Sequence, residues 1–152
     1  MTAGTEHDRE LDSDLVSIIM PTYNCGAFIA ETIATVQAQT HSRWELIVVD
    51  DCSTDDTTDV VGALAKDDPR IRYVRLETNS GAAMARNRAM ELAQGRYMAF
   101  LDSDDLWHPD KLRRQIDFMT SRDVAMSCTA YAQVDEQGVP TGRIVRSPAR
   151  IS

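Results

Sequence analysis

The residues with the most chemistry in them lie in Tyr97–Lys111, YMAFLDSDDLWHPDK. An apolar run from Tyr97 to Leu101 stops abruptly at three carboxylates, Asp102, Asp104 and Asp105, followed by Trp107 and by Pro109 at an expected helix start. A strand that ends in an Asp-x-Asp cluster sets hard oxygen ligands at the mouth of a sheet, the donor type that suits Mg²⁺ or Mn²⁺. Mg²⁺ is rarely held by protein alone and commonly shares its shell with substrate phosphates. The cluster therefore points to a nucleotide diphosphate as the complementary group. Taken as an isolated tripeptide, Asp102-Ser103-Asp104 suits a helix cap or a solvated turn equally well.

Three more polar clusters each follow an apolar run. They are Pro21-Thr22-Tyr23-Asn24, Asp50-Asp51-Cys52-Ser53, and Asn79-Ser80-Gly81 with Arg86 beyond it. In an open parallel sheet, ligands bind outside the carboxyl ends of the strands, and four such clusters on one edge exceed what packing requires. A diphosphate beside the acid cluster would be repelled, at a cost of about 4 kcal/mol per pair of like charges at about 4 Å and an effective dielectric of about 20. A divalent cation reverses that sign. Arg86 adds a second positive group, and a helix starting near Gly81 offers backbone N–H groups to an anion. Blander roles stand beside these. Asp50 suits a helix cap, Arg86 a surface pair with Glu91, Tyr23 and Trp107 packing, His108 a turn before proline, and His41 with Trp44 the loop before the second strand. The G-x-G-x-x-G and G-x-x-x-x-G-K-[ST] phosphate motifs are absent, which counts against a dinucleotide-binding dehydrogenase or a P-loop protein. A nucleotidyltransferase is disfavoured too, because PTYNCGAF lacks a glycine-rich, basic phosphate loop.

The elements that must position these clusters alternate. Val16–Met20 (VSIIM), closed by Pro21, reads as a buried strand. Phe28–Gln39, with Ile29, Ile33 and Val36 on one face, reads as an amphipathic helix. Glu45–Val49 (ELIVV) is a second buried strand. Ser53 with Asp56 three residues on resembles a capping box, opening a helix to about Lys66 that buries Val60, Val61 and Leu64. Ile71–Leu76 is a third strand. Gly81–Gln94 is a helix with Gly95 as its C-terminal stop, Tyr97–Leu101 a fourth strand, and Pro109–Thr120 a helix with proline near its first position. Strands and helices in strict alternation imply a mostly parallel sheet covered on both faces. Ala125–Val134, a turn at Asp135–Gly138 and Val139–Val145 predict a hairpin.

Length and composition narrow the class. One domain is the default for 152 residues. The expected division is an acidic, disordered leader over 1–14, a nucleotide-binding domain over 15–146, and a tail over 147–152. A formal net charge of −8 argues against nucleic acid as the main partner. No apolar run approaches the roughly 20 residues of a membrane span, and the polar, acidic first residues do not read as a signal peptide. Cys25, Cys52 and Cys128 show no metal-ligand spacing and read as reduced thiols of a cytoplasmic protein. An unpaired sheet edge would make a homodimer unsurprising.

Four segments in this order and spacing, VSIIMPTYNCGAFIAETIATVQAQT, WELIVVDDCSTDDT, NSGAAMARNRAM and GRYMAFLDSDDLWHPDKL, resemble the N-terminal half of a family 2 glycosyltransferase of the GT-A fold. The resemblance spans about Leu15 to Met119. It implies a Rossmann-like, three-layer α/β/α domain whose C-terminal part is missing. It implies transfer of a sugar from a nucleoside-diphosphate sugar, a UDP-sugar before a dTDP-sugar, to a saccharide, lipid or protein acceptor, with inversion and with Mn²⁺ or Mg²⁺. Cell-envelope polysaccharide synthesis is the implied setting. By the same resemblance Pro21, Thr22, Tyr23 and Asn24 wrap the nucleoside, Asp51 accepts from the base, and Arg86 lies near base and diphosphate. Asp102, with Ser103 beside it, contacts ribose, donor sugar or metal, and Asp104 is the metal ligand. Inversion also needs a general base, which in that family lies downstream of this cluster and is expected beyond Ser152. Asp135 and Glu136 come too early to supply it. The alternative is a nucleotide-sugar-binding fragment without turnover.

Overall fold

The structure, a computed structural model, describes residues 12–135 and 137–146. Two units divide the chain, Met1–Asp110 and Lys111–Ser152.

The first unit carries strands β1 (Asp12–Thr22), β2 (Trp44–Asp50), β3 (Ile71–Arg75) and β4 (Gly95–Phe100). Between them run helices α1 (Gly26–Gln37), α2 (Thr57–Asp67) and α3 (Ala82–Leu92). The strands are parallel and lie in the order β3-β2-β1-β4. Val16 pairs with Trp44 on one side and with Tyr97 on the other. Right-handed crossovers fix the layers. Stepping outward from β1 to β3 puts α1 and α2 on one face, and the return to β4 beyond β1 puts α3 on the other. Ile19, Ile47 and Val49 meet Ala85 and Ala89 of α3, whereas the alternate residues Ile18, Met20, Leu46 and Val48, also fully buried, turn to the opposite face. In α1 the expected apolar stripe is observed: Ile29, Ile33 and Val36 are at 0% exposure, each worth about 1.5–3 kcal/mol on burial.

Several expected boundaries shift. β1 begins at Asp12, inside the segment read as leader, of which residues 1–11 lie outside the described residues, as do Glu136 and residues 147–152. Ser53 does not cap a helix. Its hydroxyl donates to Asp50 Oδ1 at 2.6 Å, and Asp55 instead accepts from the Thr57 N–H and hydroxyl, so α2 starts at Thr57. Of the three α2 residues expected in the core, Val61 is fully buried and Val60 and Leu64 are half-buried. Gly95 is not a helix stop: α3 ends at Leu92, followed by an extended Ala93, and Gly95 opens β4. It is glycine for another reason, since a Cβ there would sit 2.6 Å from the Leu15 carbonyl oxygen and 2.8 Å from the Ser17 nitrogen. Pro109 precedes its helix rather than entering it. The turn at Pro109–Asp110 is tied to Thr40, whose N–H donates to Pro109 O at 2.9 Å and whose hydroxyl donates to Asp110.

β4 differs from the other strands in one respect. By register Met98 and Phe100 share the α3 face with Ser17 and Ile19, yet α3 packs on β1 and β2, and the two side chains are 50% and 52% exposed.

The second unit holds α4 (Lys111–Arg122) and the antiparallel hairpin of β5 (Tyr131–Val134) and β6 (Pro140–Val145). The hairpin was expected, with a first strand longer than the one observed. Its turn is set by Asp135 Oδ1, which accepts from the N–H groups of Gln137 and Val139. Gln115 of α4 donates to the Ser127 hydroxyl at 3.0 Å. Among the described residues, no helix is long and apolar enough to cross a membrane.

Candidate functional site

The strand order reverses between β1 and β4, and in open α/β sheets that reversal opens a crevice at the carboxyl ends. A cleft of about 500 Å³ lies there. Its walls include Pro21, Thr22 and Tyr23 after β1, Asp51 after β2, Asn79 and Gly81 after β3, Arg86 on α3, and Asp102, Ser103 and Asp104 after β4. Eight of the nine site residues singled out in the sequence thus share one cavity. Asn24 is the exception: its side-chain oxygen turns to the Thr54 N–H at 2.7 Å. Cys25 and Ala82, which are not among the predicted site residues, also line the cleft. A second depression along α2, lined by Thr58, Asp59, Gly62, Ala63, Lys66 and Asp67, contains none of the predicted site.

A buried carboxylate braces the β1–β2 side of the cleft. Asp50 is completely buried and accepts from the Ser53 N–H and hydroxyl, from Thr58, and from the Tyr73 hydroxyl at 2.6 Å. The Arg75 guanidinium lies 3.7 Å away and also donates to the Ser53 carbonyl. A buried charge persists only when paired and hydrogen-bonded in this way. Burial, and then the Asp50 carboxylate, push the Tyr73 hydroxyl above its usual range, so it stays a donor. Ser53 Oγ in turn accepts from the Asn24 N–H at 2.9 Å. Asn24 and Cys52 both adopt positive φ, 50° and 66°, a conformation that costs non-glycine residues energy and persists where surroundings impose it. The chain Asp50–Ser53–Asn24 is such a constraint, joining the loops after β1 and β2. Tyr73 and Arg75 act behind it, and only the alternation of IRYVRL hinted that Tyr73 points inward.

Asp51 is 3% exposed, and both its oxygens are engaged. Oδ1 accepts from Ser80 N–H at 2.6 Å and Oδ2 from Gly81 N–H at 2.7 Å. The N–H groups expected at the start of α3 for an anion are thus partly taken by Asp51 itself. Each carboxylate oxygen retains further acceptor capacity. The Asn79 amide donates to the Asp51 carbonyl, completing the staple between β2 and α3. Thr22, at 3% exposure, carries a buried hydroxyl without a hydrogen-bond partner among the described residues. A buried hydroxyl costs free energy until it is paired, and this one belongs to a residue of the cleft wall.

On the opposite wall Asp102 faces Arg86, with Nη2 3.4 Å from Oδ1. The alternative partner considered for Arg86, Glu91, pairs with Arg88 instead. Asp105 N–H closes a turn onto the Asp102 carbonyl, and Ser103, inside that turn, is 6% exposed. Partial burial first, and then the charges of Asp104 and Asp102, push the Asp105 carboxyl up. The turn carries three carboxylates, Asp102, Asp104 and Asp105, against the Arg86 guanidinium, and hard oxygen donors of this kind fit a divalent cation. Among the described residues no group of three or more His, Cys, Asp or Glu converges to hold an ion by itself. Trp107 is buried at 9%, as its packing role requires. His108 accepts from Asp110 N–H in the turn, and the His41 ring lies 2.9 Å from the Asp14 carbonyl oxygen.

A parallel four-stranded sheet with a cleft of about 500 Å³ at its switch point, walled by an Asp-x-Asp turn, is the arrangement of a GT-A fold domain. Residues 17–149 match the family described as Glycosyl transferase family 2, and the chain belongs to that family. It is 49% identical over 138 residues to TuaG of Bacillus subtilis, a protein named as a teichuronic acid biosynthesis glycosyltransferase, covering 91% of this chain and 55% of that one. It is 42% identical to the Escherichia coli UDP-Glc:alpha-D-GlcNAc-diphosphoundecaprenol beta-1,3-glucosyltransferase WfaP, covering 91% of this chain and 54% of WfaP. The chain thus spans little more than half the length of these relatives. Residues 1-349 of S. aureus TarS in complex with UDP superpose with a TM-score of 0.66 at 34% identity, covering 71% of this chain and 32% of that chain. The Pyrobaculum calidifontis mannosyltransferase PcManGT in complex with GDP-Man and Mn2+ gives 0.65 at 27% identity, over 85% of this chain and 37% of that chain.

Proposed function

We propose that this chain forms the donor-binding half of a metal-dependent, inverting glycosyltransferase that takes its sugar from a UDP-sugar and serves cell-envelope polysaccharide synthesis. The observation that carries the reading is the wall formed by Asp102, Ser103 and Asp104, with Arg86 3.4 Å from Asp102, at the switch point of the sheet. Asp104 and Asp102 would hold Mn²⁺ or Mg²⁺, which when bound neutralises the diphosphate and the leaving-group charge. Arg86 supplies a second positive group to the same phosphates. Tyr23 and Asp51 bracket the base, Tyr23 from the exposed side and Asp51 by spare acceptor capacity toward an N–H such as that of uracil, with Pro21 and Thr22 as the floor. The names of WfaP and the UDP complex of TarS support uracil as the base. Cys25, Cys52 and Cys128 form no disulfide among the described residues, which suits a cytoplasmic location. No general base is assigned: Asp135 is spent on its own hairpin turn.

Calorimetric titration of UDP with and without Mn²⁺ tests this reading. Wild-type affinity is expected to rise with Mn²⁺, and Asp104→Ala to lower the Mn²⁺-supported affinity at least tenfold, about 1.4 kcal/mol. Equal binding of UDP without metal, or an unaffected Asp104→Ala variant, would overturn it.

A further inference from the structure

The acid turn is held from behind by a polar stripe on α1 that none of the proposed donor contacts uses. Thr32, at 0% exposure, donates its hydroxyl to the Ser103 carbonyl at 3.0 Å, a buried bond between residues 71 apart in sequence. Thr35 donates to the Thr32 carbonyl at 2.7 Å and accepts from Trp107 N–H at 3.2 Å. Just past the helix, Gln39 donates to the His108 carbonyl at 2.8 Å and to the Thr35 carbonyl. The Thr40 N–H donates to the Pro109 carbonyl at 2.9 Å. Two successive turns of α1 and the residues just beyond it thus hold the backbone of the acid loop at residues 103, 107, 108 and 109. Beside this stripe Ile29, Ile33 and Val36 anchor α1 in the core, so the stripe belongs to a rigid element. Loops carry function when a rigid scaffold positions them.

We infer that Thr32 is a positioning residue for the metal-binding turn: by holding the Ser103 carbonyl it fixes the spacing of the Asp102 and Asp104 carboxylates on either side. The bond lies one residue from each carboxylate, and it is the buried member of the stripe. Mg²⁺ demands near-ideal octahedral ligand geometry, and misplacement of groups that orient a metal's ligands weakens such sites. The inference rests on the donor-binding reading above and adds a residue that touches neither donor nor ion.

Thr32→Val removes the hydroxyl at nearly constant volume, and Thr32→Ser restores it. Thr35→Val, which removes the Trp107 contact at a half-buried position, is the second variant should Thr32→Val fail to fold. The measurements are calorimetric titrations of UDP across a Mn²⁺ series and of uridine without metal, which probes the base side alone. Thr32→Val is expected to raise the Mn²⁺ concentration needed for half-maximal UDP binding at least fivefold, with uridine affinity within twofold of wild type and with Thr32→Ser restoring the Mn²⁺ dependence. Thr35→Val is expected to shift it in the same direction, by less. An unchanged Mn²⁺ dependence in the valine variants, or equal losses for uridine and for UDP with Mn²⁺, overturns the inference. Wild-type protein that binds no UDP with Mn²⁺ overturns the donor reading and this inference with it.

Discussion

Asp51 bears two short charge-assisted bonds at the junction of β2 and α3, to Ser80 N–H and Gly81 N–H. Asp51→Asn turns one acceptor oxygen into a donor facing a donor, so one N–H loses its partner. Urea unfolding is expected to show a loss of about 1–3 kcal/mol, together with weaker UDP binding, because the staple also fixes the start of the helix that carries Arg86. The acid itself was legible in the sequence, standing at the end of the apolar run ELIVV beside a second aspartate. Its partners were not: Ser80 and Gly81 lie 29 and 30 residues away, and nothing in spacing or periodicity pairs a carboxylate with a distant backbone N–H. The same holds for Thr32, which a helical wheel places at the edge of an apolar face and which only the fold brings to Ser103.

Elements are where local patterns served well for existence and poorly for boundaries. Val16–Met20 and Leu46–Val49 became the two central strands because they are buried on both faces, whereas the edge strands β3 and β4 carry exposed positions. Gly95 shows the failure. A glycine after a helical segment signals a C-terminal cap, but this one stands where β4 passes the β1 backbone too closely for a side chain. Gly95→Ala is therefore expected to destabilise the protein by about 1–3 kcal/mol through overpacking, measured by thermal or urea unfolding. Gly95 is not among the glycines with positive φ, so the cost comes from the close approach to β1 and not from a left-handed cap conformation. Ser53 misled in a similar way: its hydroxyl had two plausible customers, a helix start and the preceding aspartate, and the fully buried Asp50 demanded it more strongly.

Across the whole molecule, the end of the sheet remote from the cleft carries its own electrostatic anchor. Asp68 takes a two-pronged contact from Arg70 at 3.0 and 2.8 Å and a third bond from Gln37, and Arg70 lies over the Trp44 ring at 3.8 Å. The Arg70 hydrogen bond above all holds the Asp68 carboxyl down at about 2, from 3.8. A depressed folded-state pKa means stability that is present above the unfolded value and lost as pH falls. The loss should run from about pH 4 to about pH 2 and amount to no more than about 2 kcal/mol, less where the partly exposed Arg70 is screened by solvent. Acid titration of unfolding free energy is expected to show this slope in wild type and a shallower one in Asp68→Asn. Equal slopes would assign acid sensitivity to other carboxylates.

The Arg86–Asp102 pair has a consequence for the order of events in the cleft. On the proposed reading, a divalent ion reaching Asp102 competes with the Arg86 guanidinium 3.4 Å away and binds less tightly than it would to a lone carboxylate. A diphosphate gives that guanidinium somewhere better to go. Ion and nucleotide should therefore recruit each other, each loading poorly alone and well together, and the exchange of one partner for another at Arg86 would be what couples them.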